Sequence, residues 1–200
     1  MKLMSDEKRG SVDCNGGLIL IEGNKWCGLG GYYSTKEAKS YNSIDLENID
    51  FGIKIKEILE KSVNLLYSKK AMEFIRLENN EDWKQQFEFL KMNYGYKTEQ
   101  SFSKNMMHCT LVKKDEKLKI SPWERVRNGW DGLDEKYDIT LKSDVIPELL
   151  GATVRFAFTR CRGKGLDVVT KALFPNGVPN SLEEYLESVD PDYKQWLISV

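Results

Sequence analysis

In "NMMHCTLVKK" Met107, Cys109 and Leu111 alternate with His108, Thr110 and Val112, the two-residue period of a strand with unlike faces. "KLKISP" repeats the pattern beyond a turn at Asp115-Glu116, and "KYDITL" alternates Tyr137, Ile139 and Leu141 in the same way. Nearer the start, "GGLILIEGNKWCGLGGYYST" reads as two short strands around a Gly23-Asn24 turn, followed by a tight bend at Gly28, Gly30 and Gly31. "YNSIDL" reads as one more short strand.

Between these segments the period lengthens. Ile55, Ile58, Leu59, Leu65 and Leu66 fall near helical spacing, which predicts a helix from Asp50 to about Tyr67. "NNEDWKQQFEFLKMNYG" predicts a second, with an asparagine cap, one face of Trp83, Phe87, Leu90 and Tyr94, and Gly95 as terminator. "WERVRNGWDGLDEKY" reads as a glycine-punctuated connection carrying Trp123 and Trp130. In "PELLGATVRFAFTRC" Leu150, Val154, Ala157, Phe158 and Cys161 recur at three- and four-residue steps, with Ser143 or Asp144 as cap and Pro147 in the first turn. This helix is predicted to run to Gly163, so that Arg160, Arg162 and Lys164 meet the negative end of its dipole. Gly151 costs about 1 kcal/mol relative to alanine inside a helix, so a close packing contact is expected there. Ser181 with Glu184, then Asp190 with Pro191, predict two further helix starts in the tail.

These elements predict an α+β fold: a mainly antiparallel twisted sheet with helices packed on it, in a single domain over 1–200. Residues 1–16 are expected to be loosely ordered and 166–200 to form a C-terminal helical appendage. "GIKIKEILEKS" overlays "GATVRFAFTRC" without a gap, Gly52 on Gly151 and Leu59 on Phe158. A short strand headed by tyrosine precedes each copy. An internal strand-helix pseudo-repeat is therefore expected, its glycines admitting close contact between helix and sheet.

Charge and chemistry narrow the reading. Thirty Lys plus Arg balance 31 Asp plus Glu, so no whole-chain field attracts nucleic acid or membrane. The four cysteines form no C-x-x-C pair, and one histidine cannot furnish a multi-histidine metal site. "GLGG" has the wrong spacing for a dinucleotide fingerprint. No cofactor, metal ligand set or catalytic residue is expected. The apolar runs are too short to span a bilayer and the charged start lacks a signal-peptide core, so a cytoplasmic location is expected.

The run "ISPWERVRNGWDG", then "DITL", then "ELLGATVRFAFTRC", with the earlier "DFGIKIKEILEKS", resembles the immunity proteins of bacterial contact-dependent growth inhibition (CDI) systems. The resemblance spans about Trp26 to Cys161 and departs at Phe51, where leucine would be expected before glycine. It implies a non-catalytic antitoxin that binds a cognate toxin domain, a nuclease by expectation, and blocks its active site or substrate surface. No small-molecule substrate, membrane or nucleic-acid partner is implied. Acidic patches that could plug a basic cleft are Glu78, Glu81 and Asp82, then Asp131, Asp134 and Glu135, and the tail from Glu183 to Asp192. Trp123 and Trp130 are candidate anchors. The first two patches and the two tryptophans form the expected toxin-binding set.

Two rival readings come from the residues themselves. A nucleic-acid-binding module would use Arg155, Arg160, Arg162 and Lys164 on phosphates. A thiol enzyme would use Cys161 or Cys109, with His108 as a remote base.

Overall fold

The computed structural model describes residues 7–26, 32–43, 45–64, 69–127 and 129–198, with side chains for 7–24, 45–62, 81–127 and 129–196. The predicted bend at Gly28, Gly30 and Gly31 lies outside these residues, as do Leu65, Leu66 and Tyr67.

The predicted hairpin is present as β5 (Met107–Lys114) and β6 (Lys117–Val126), with Asp115 at φ 53° in the turn. Trp123 to Val126 extend β6 and pair with β7 (Gly129–Gly132), so the expected tryptophan connection is itself a short hairpin. β8 (Ile139–Lys142) pairs with the first half of β6.

The larger correction is at the start of the chain. Lys8–Cys14 is β1, hydrogen-bonded on both edges, where loose order was expected for residues 1–16. Its charged face concealed the alternation: Val12 and Cys14 point into the core while Arg9 and Asp13 point to the opposite side. Gly23 and Asn24 are no turn either. β2 (Leu18–Trp26) runs through them with a register shift between Glu22 and Asn24. The reversal lies earlier, at Asn15 to Gly17, where Asn15 N–H donates to Leu18 O and Gly16 adopts φ 89°. β3 (Tyr32–Ser43) pairs antiparallel with β2 and takes in Tyr41 to Ser43 of the strand expected at "YNSIDL", whereas Asp45 and Leu46 lie beyond it. The sheet order is β3-β2-β1-β5-β6-β7, with β4 (Val63–Asn64) parallel to β2.

One sheet face is covered by α1 (Asn48–Glu60) and α4 (Pro147–Phe158). Val12, Ile19, Ile21, Met107, Leu111 and Ile120 meet Phe51, Ile55, Leu150, Val154 and Phe158 in one core cluster. The two helices cross backbone to backbone: a Cβ on Gly52 would lie 1.9 Å from Pro147 O, and one on Gly151 would lie 2.0 Å from Asn48 O. Each glycine therefore admits the first turn of the other helix. The close contact expected from the sequence echo is helix on helix rather than helix on sheet.

Helix ends differ from the sequence reading for local reasons. α1 stops at Glu60, where Lys8 Nζ caps the Glu60 and Ser62 carbonyls at 3.1 and 3.0 Å and the chain enters β4. α4 stops at Phe158, not Gly163, because the next residues extend along β6: Arg125 N–H donates to Arg162 O at 2.7 Å, and Arg162 N–H to Trp123 O at 3.3 Å. Its N-cap is Ile146 without a side-chain cap, and Ser143 and Asp144 belong to the preceding turn.

α2 (Lys69–Tyr94) is longer than predicted, so the asparagines expected to cap it are interior. Gly95 ends it at φ 72° with its N–H on Lys91 O. α2 and α3 (Glu99–Ser103) cover part of the opposite sheet face through Phe87, Leu90 and Phe102, which with Met106 just before β5 pack on Leu18 and Leu20. Tyr94, predicted on that buried stripe, is instead exposed.

The tail forms α5 (Asp167–Leu173), α6 (Leu182–Val189) and α7 (Lys194–Ile198). Ser181 Oγ accepts from Glu184 N–H at 3.0 Å, but the Glu184 carboxylate turns to Asn180 rather than closing the predicted capping box on Ser181. Asp190 ends α6 and accepts from Asp192 N–H at 2.8 Å. Leu166, Val169, Phe174, Tyr185, Leu186 and Tyr193 join the core beneath α4.

Candidate protein-binding face

The sheet face opposite α1 and α4 carries polar and aromatic side chains in register. Asp13 on β1 lies across from His108 on β5, and Nδ1–H of His108 donates to Asp13 Oδ1 at 2.8 Å. Burial disfavours the imidazolium, but the Asp13 charge and hydrogen bond outweigh it, with smaller help from Cys161 and Glu22, and hold His108 above its ordinary pKa. Trp130 stacks on the His108 ring at 5.0 Å and 23°, and the Arg125 guanidinium lies over the indole at 4.7 Å. Trp123 meets the same imidazole edge-on at 5.8 Å and donates Nε1–H to Thr110 Oγ1 at 3.0 Å. Asp13, His108, Trp130 and Arg125 thus form one stack in which each ring is held by a charge or a second ring.

Beside the stack a cleft of about 270 Å³ opens between the strands and the segment after β7. Its floor includes Thr110, Val112, Ser121 and Trp123, and its roof includes Leu133 and Glu135. Lys119 and Asp138 at its rim form a 3.1 Å ion pair. Asp134 caps the 3-10 turn Glu135–Tyr137 through Lys136 N–H, which with the Lys136 charge holds its carboxyl below the usual range. Asp131, Asp134 and Glu135 are exposed.

The expected toxin-binding residues partition accordingly. Trp123, Trp130, Asp131, Asp134 and Glu135 gather around this hairpin and cleft. Trp130 and Trp83 pack against the same apolar cluster beneath α2, so Glu81 and Asp82, just before Trp83, belong to this side of the sheet. The Glu78 side chain lies outside the described residues. The acidic tail is separate, because α6 packs on α4 at the other face, and Glu183 and Glu187 accept from Tyr193 Oη. Both candidate tryptophan anchors are half-buried, neither free nor sunk in the core.

Sequence reasoning missed Asp13 and Arg125. Asp13 sits in a stretch expected to be loose, and Arg125 in what looked like a connection. Their only signal was parity: each occupies the outward register of its strand.

The basic cluster divides, with Arg155 turned to α1 and Arg160 and Arg162 meeting at Tyr137. Arg155 donates to Leu46 O and lies over the Phe51 ring. Arg160 donates to Tyr137 O at 3.0 Å, and Arg162 bonds Tyr137 Oη while lying over its ring. Three of the four phosphate candidates are therefore engaged within the fold. Cys161 packs against the main core, with its Sγ 3.8 Å from that of Cys109.

Residues 8–161 match the family described as "CdiI: CDI immunity protein". The chain belongs to this family. The match extends the resemblance seen in the sequence back to Lys8, taking in β1. The immunity protein is 26% identical over 140 residues to the "Immunity protein CdiI-YPIII" of Yersinia pseudotuberculosis serotype O:3, covering 61% of this chain and 77% of that one. Its fold is similar to a Neisseria meningitidis protein described as a "Protein of Unknown Function NMB0488", with TM-score 0.70 and 25% identity, covering 81% of this chain and 99% of the other. It is also similar in fold to a chain of the "CdiA-CT/CdiI toxin and immunity complex from Yersinia pseudotuberculosis", with TM-score 0.65 and 21% identity over 78% and 98% of the two chains. α5, α6 and α7 follow the family match. Among the described residues no helix is long and apolar enough to cross a membrane.

Proposed function

We propose that this immunity protein acts in the cytoplasm by binding the toxin domain encoded with it, and that it neutralises that domain by occupation rather than by chemistry. The contact face in this reading is the one bearing Trp123, Trp130, Asp131, Asp134 and Glu135, flanked by Glu81 and Asp82 on α2. One observation carries it: the exposed Glu135 lines a cleft, with the exposed Asp131 and Asp134 close to it in the chain, and the neighbouring aromatics are already fixed by His108, Arg125 and Thr110. Preordered aromatics lose little side-chain entropy on binding, and a rim of carboxylates steers a basic partner. A nuclease is the toxin class that fits, since its substrate cleft must be basic to hold phosphates. Residues 1–200 act as one domain in this reading, supported by a core cluster that reaches from Val12 to Tyr193.

The test is co-expression of the full chain with the C-terminal fragment of the exoprotein encoded beside it, scored by cell survival and co-purification. The triple variant Asp131→Asn, Asp134→Asn, Glu135→Gln is expected to weaken association at least tenfold at low salt, with a smaller deficit at high salt. Unchanged protection by this variant, together with loss of protection on neutralising Glu183, Glu184 and Glu187, would move the contact to the opposite face.

A further inference from the structure

The thiols of Cys109 and Cys161 face each other at 3.8 Å although 52 residues separate them. Cys109 sits in the middle of β5 and is fully buried. Cys161 lies just past the end of α4, partly exposed, in the segment that turns to pair with β6. Protonated, it donates to His108 O at 3.3 Å. This pair takes no part in the stack on the other side of the sheet, and nothing in the binding reading uses it.

We propose that Cys161 and Cys109 form a peroxide-responsive dithiol, Cys161 attacking and Cys109 resolving. The two roles follow from position. Of the two residues Cys161 is the less buried, lying just past the end of α4. Cys109 is sealed from solvent yet in contact with the sulfur it must attack. Electrostatics agree with this assignment. Burial opposes the Cys161 thiolate, but hydrogen bonds with Cys109 and with the backbones of Trp123 and His108, helped by the His108 charge, lower its pKa. Burial raises Cys109, and pushes the nearby Cys14 thiol up to about 12, so neither competes as the first nucleophile.

The chemistry balances with hydrogen peroxide as the two-electron oxidant. The Cys161 thiolate attacks one peroxide oxygen, the S–O bond forms as the O–O bond breaks, and the departing hydroxide takes a proton to leave as water. Cys109 then attacks the sulfenic sulfur; the S–S bond forms, the S–O bond breaks, and the second hydroxide leaves as water with the Cys109 proton. The sulfurs must close by about 1.8 Å to reach disulfide length. That movement falls on the segment after α4, which meets β6 through two backbone hydrogen bonds around Arg162 among the described residues. The product ties this segment to β5 and closes a long loop of the unfolded chain, so the oxidised protein is more stable than the reduced one.

The experiment treats the full-length reduced protein with a small excess of hydrogen peroxide near neutral pH. Remaining thiols are alkylated under denaturing conditions, followed by intact mass measurement and peptide mapping. An intact mass with two alkyl labels in place of the reduced protein's four, a linked peptide containing Cys109 and Cys161, reversal by dithiothreitol and a Tm raised by several degrees are expected. Cys161→Ser should abolish the link and Cys14→Ala should keep it; if either misfolds, the wild-type peptide map decides alone. Oxidation of Cys161 to the sulfinic acid with Cys109 still alkylable would overturn the proposal. So would a link from Cys161 to Cys14 or Cys27, or four unreacted thiols.

Discussion

The two faces of the sheet are built on opposite principles. Beneath α1 and α4 the contacts are apolar and so close that two glycines let backbones touch. On the other face, among the described residues, α2 and α3 pack on Leu18 and Leu20, and β1, β5, β6 and β7 carry pairwise polar and aromatic contacts around His108 and Trp130. The first arrangement suits stability, because apolar burial is large and needs no particular partner. The second suits recognition, because charges, a cleft and half-buried rings remain at the surface in fixed orientations.

Substitutions can break this contrast. Gly151→Val should be the most damaging, since its side chain would collide with the Asn48 carbonyl in the first turn of α1; a loss of about 3 kcal/mol or more is expected. Chemical denaturation measures it, and a near-neutral result would mean the helices do not cross so closely. Trp130→Ala should cost about 1–2 kcal/mol, through the lost stack on His108 and the loss of its packing with Arg125. Its effect on toxin association should exceed its effect on stability, the reverse of Gly151→Val, and comparing denaturation midpoints with binding titrations separates the two.

The smallest change sharpens the electrostatic side. Because the folded protein holds His108 above its ordinary pKa, the Asp13–His108 pair contributes fully below the unfolded value of about 6.5 and loses that contribution as pH rises through the folded value. Asp13→Asn should therefore destabilise by about 1 kcal/mol near pH 5 and progressively less towards pH 8. A deficit that grows with pH would contradict the assigned ion pair.

Much of this protein was legible where one physical requirement dominated. The alternation in β5 and β6 follows from a sheet with one apolar side, and Gly95 ends α2 because a left-handed residue is needed there. β1 was not legible, because its outward side chains are charged and its place between two strands depends on partners distant in the chain. The end of α4 was hidden for a related reason. Cys161 keeps helical spacing in sequence, yet backbone hydrogen bonds to β6 draw the chain out of the helix. For the proposed binding face the sequence named the hairpin tryptophans and carboxylates but not Asp13 or Arg125, which join the stack around His108 and Trp130 only when strands come into register.

Residue spacing alone determined the α+β class, the matched places of Gly52 and Gly151 in two similar helices, and the family kinship carried by the segments around them. These are legible because helix period, strand period and the absence of a side chain act locally. The tertiary structure decided which tryptophans share a face, which arginines turn inward and which cysteines touch. Those outcomes depend on contacts between residues far apart in the chain, whose free energies exist only once the sheet has closed.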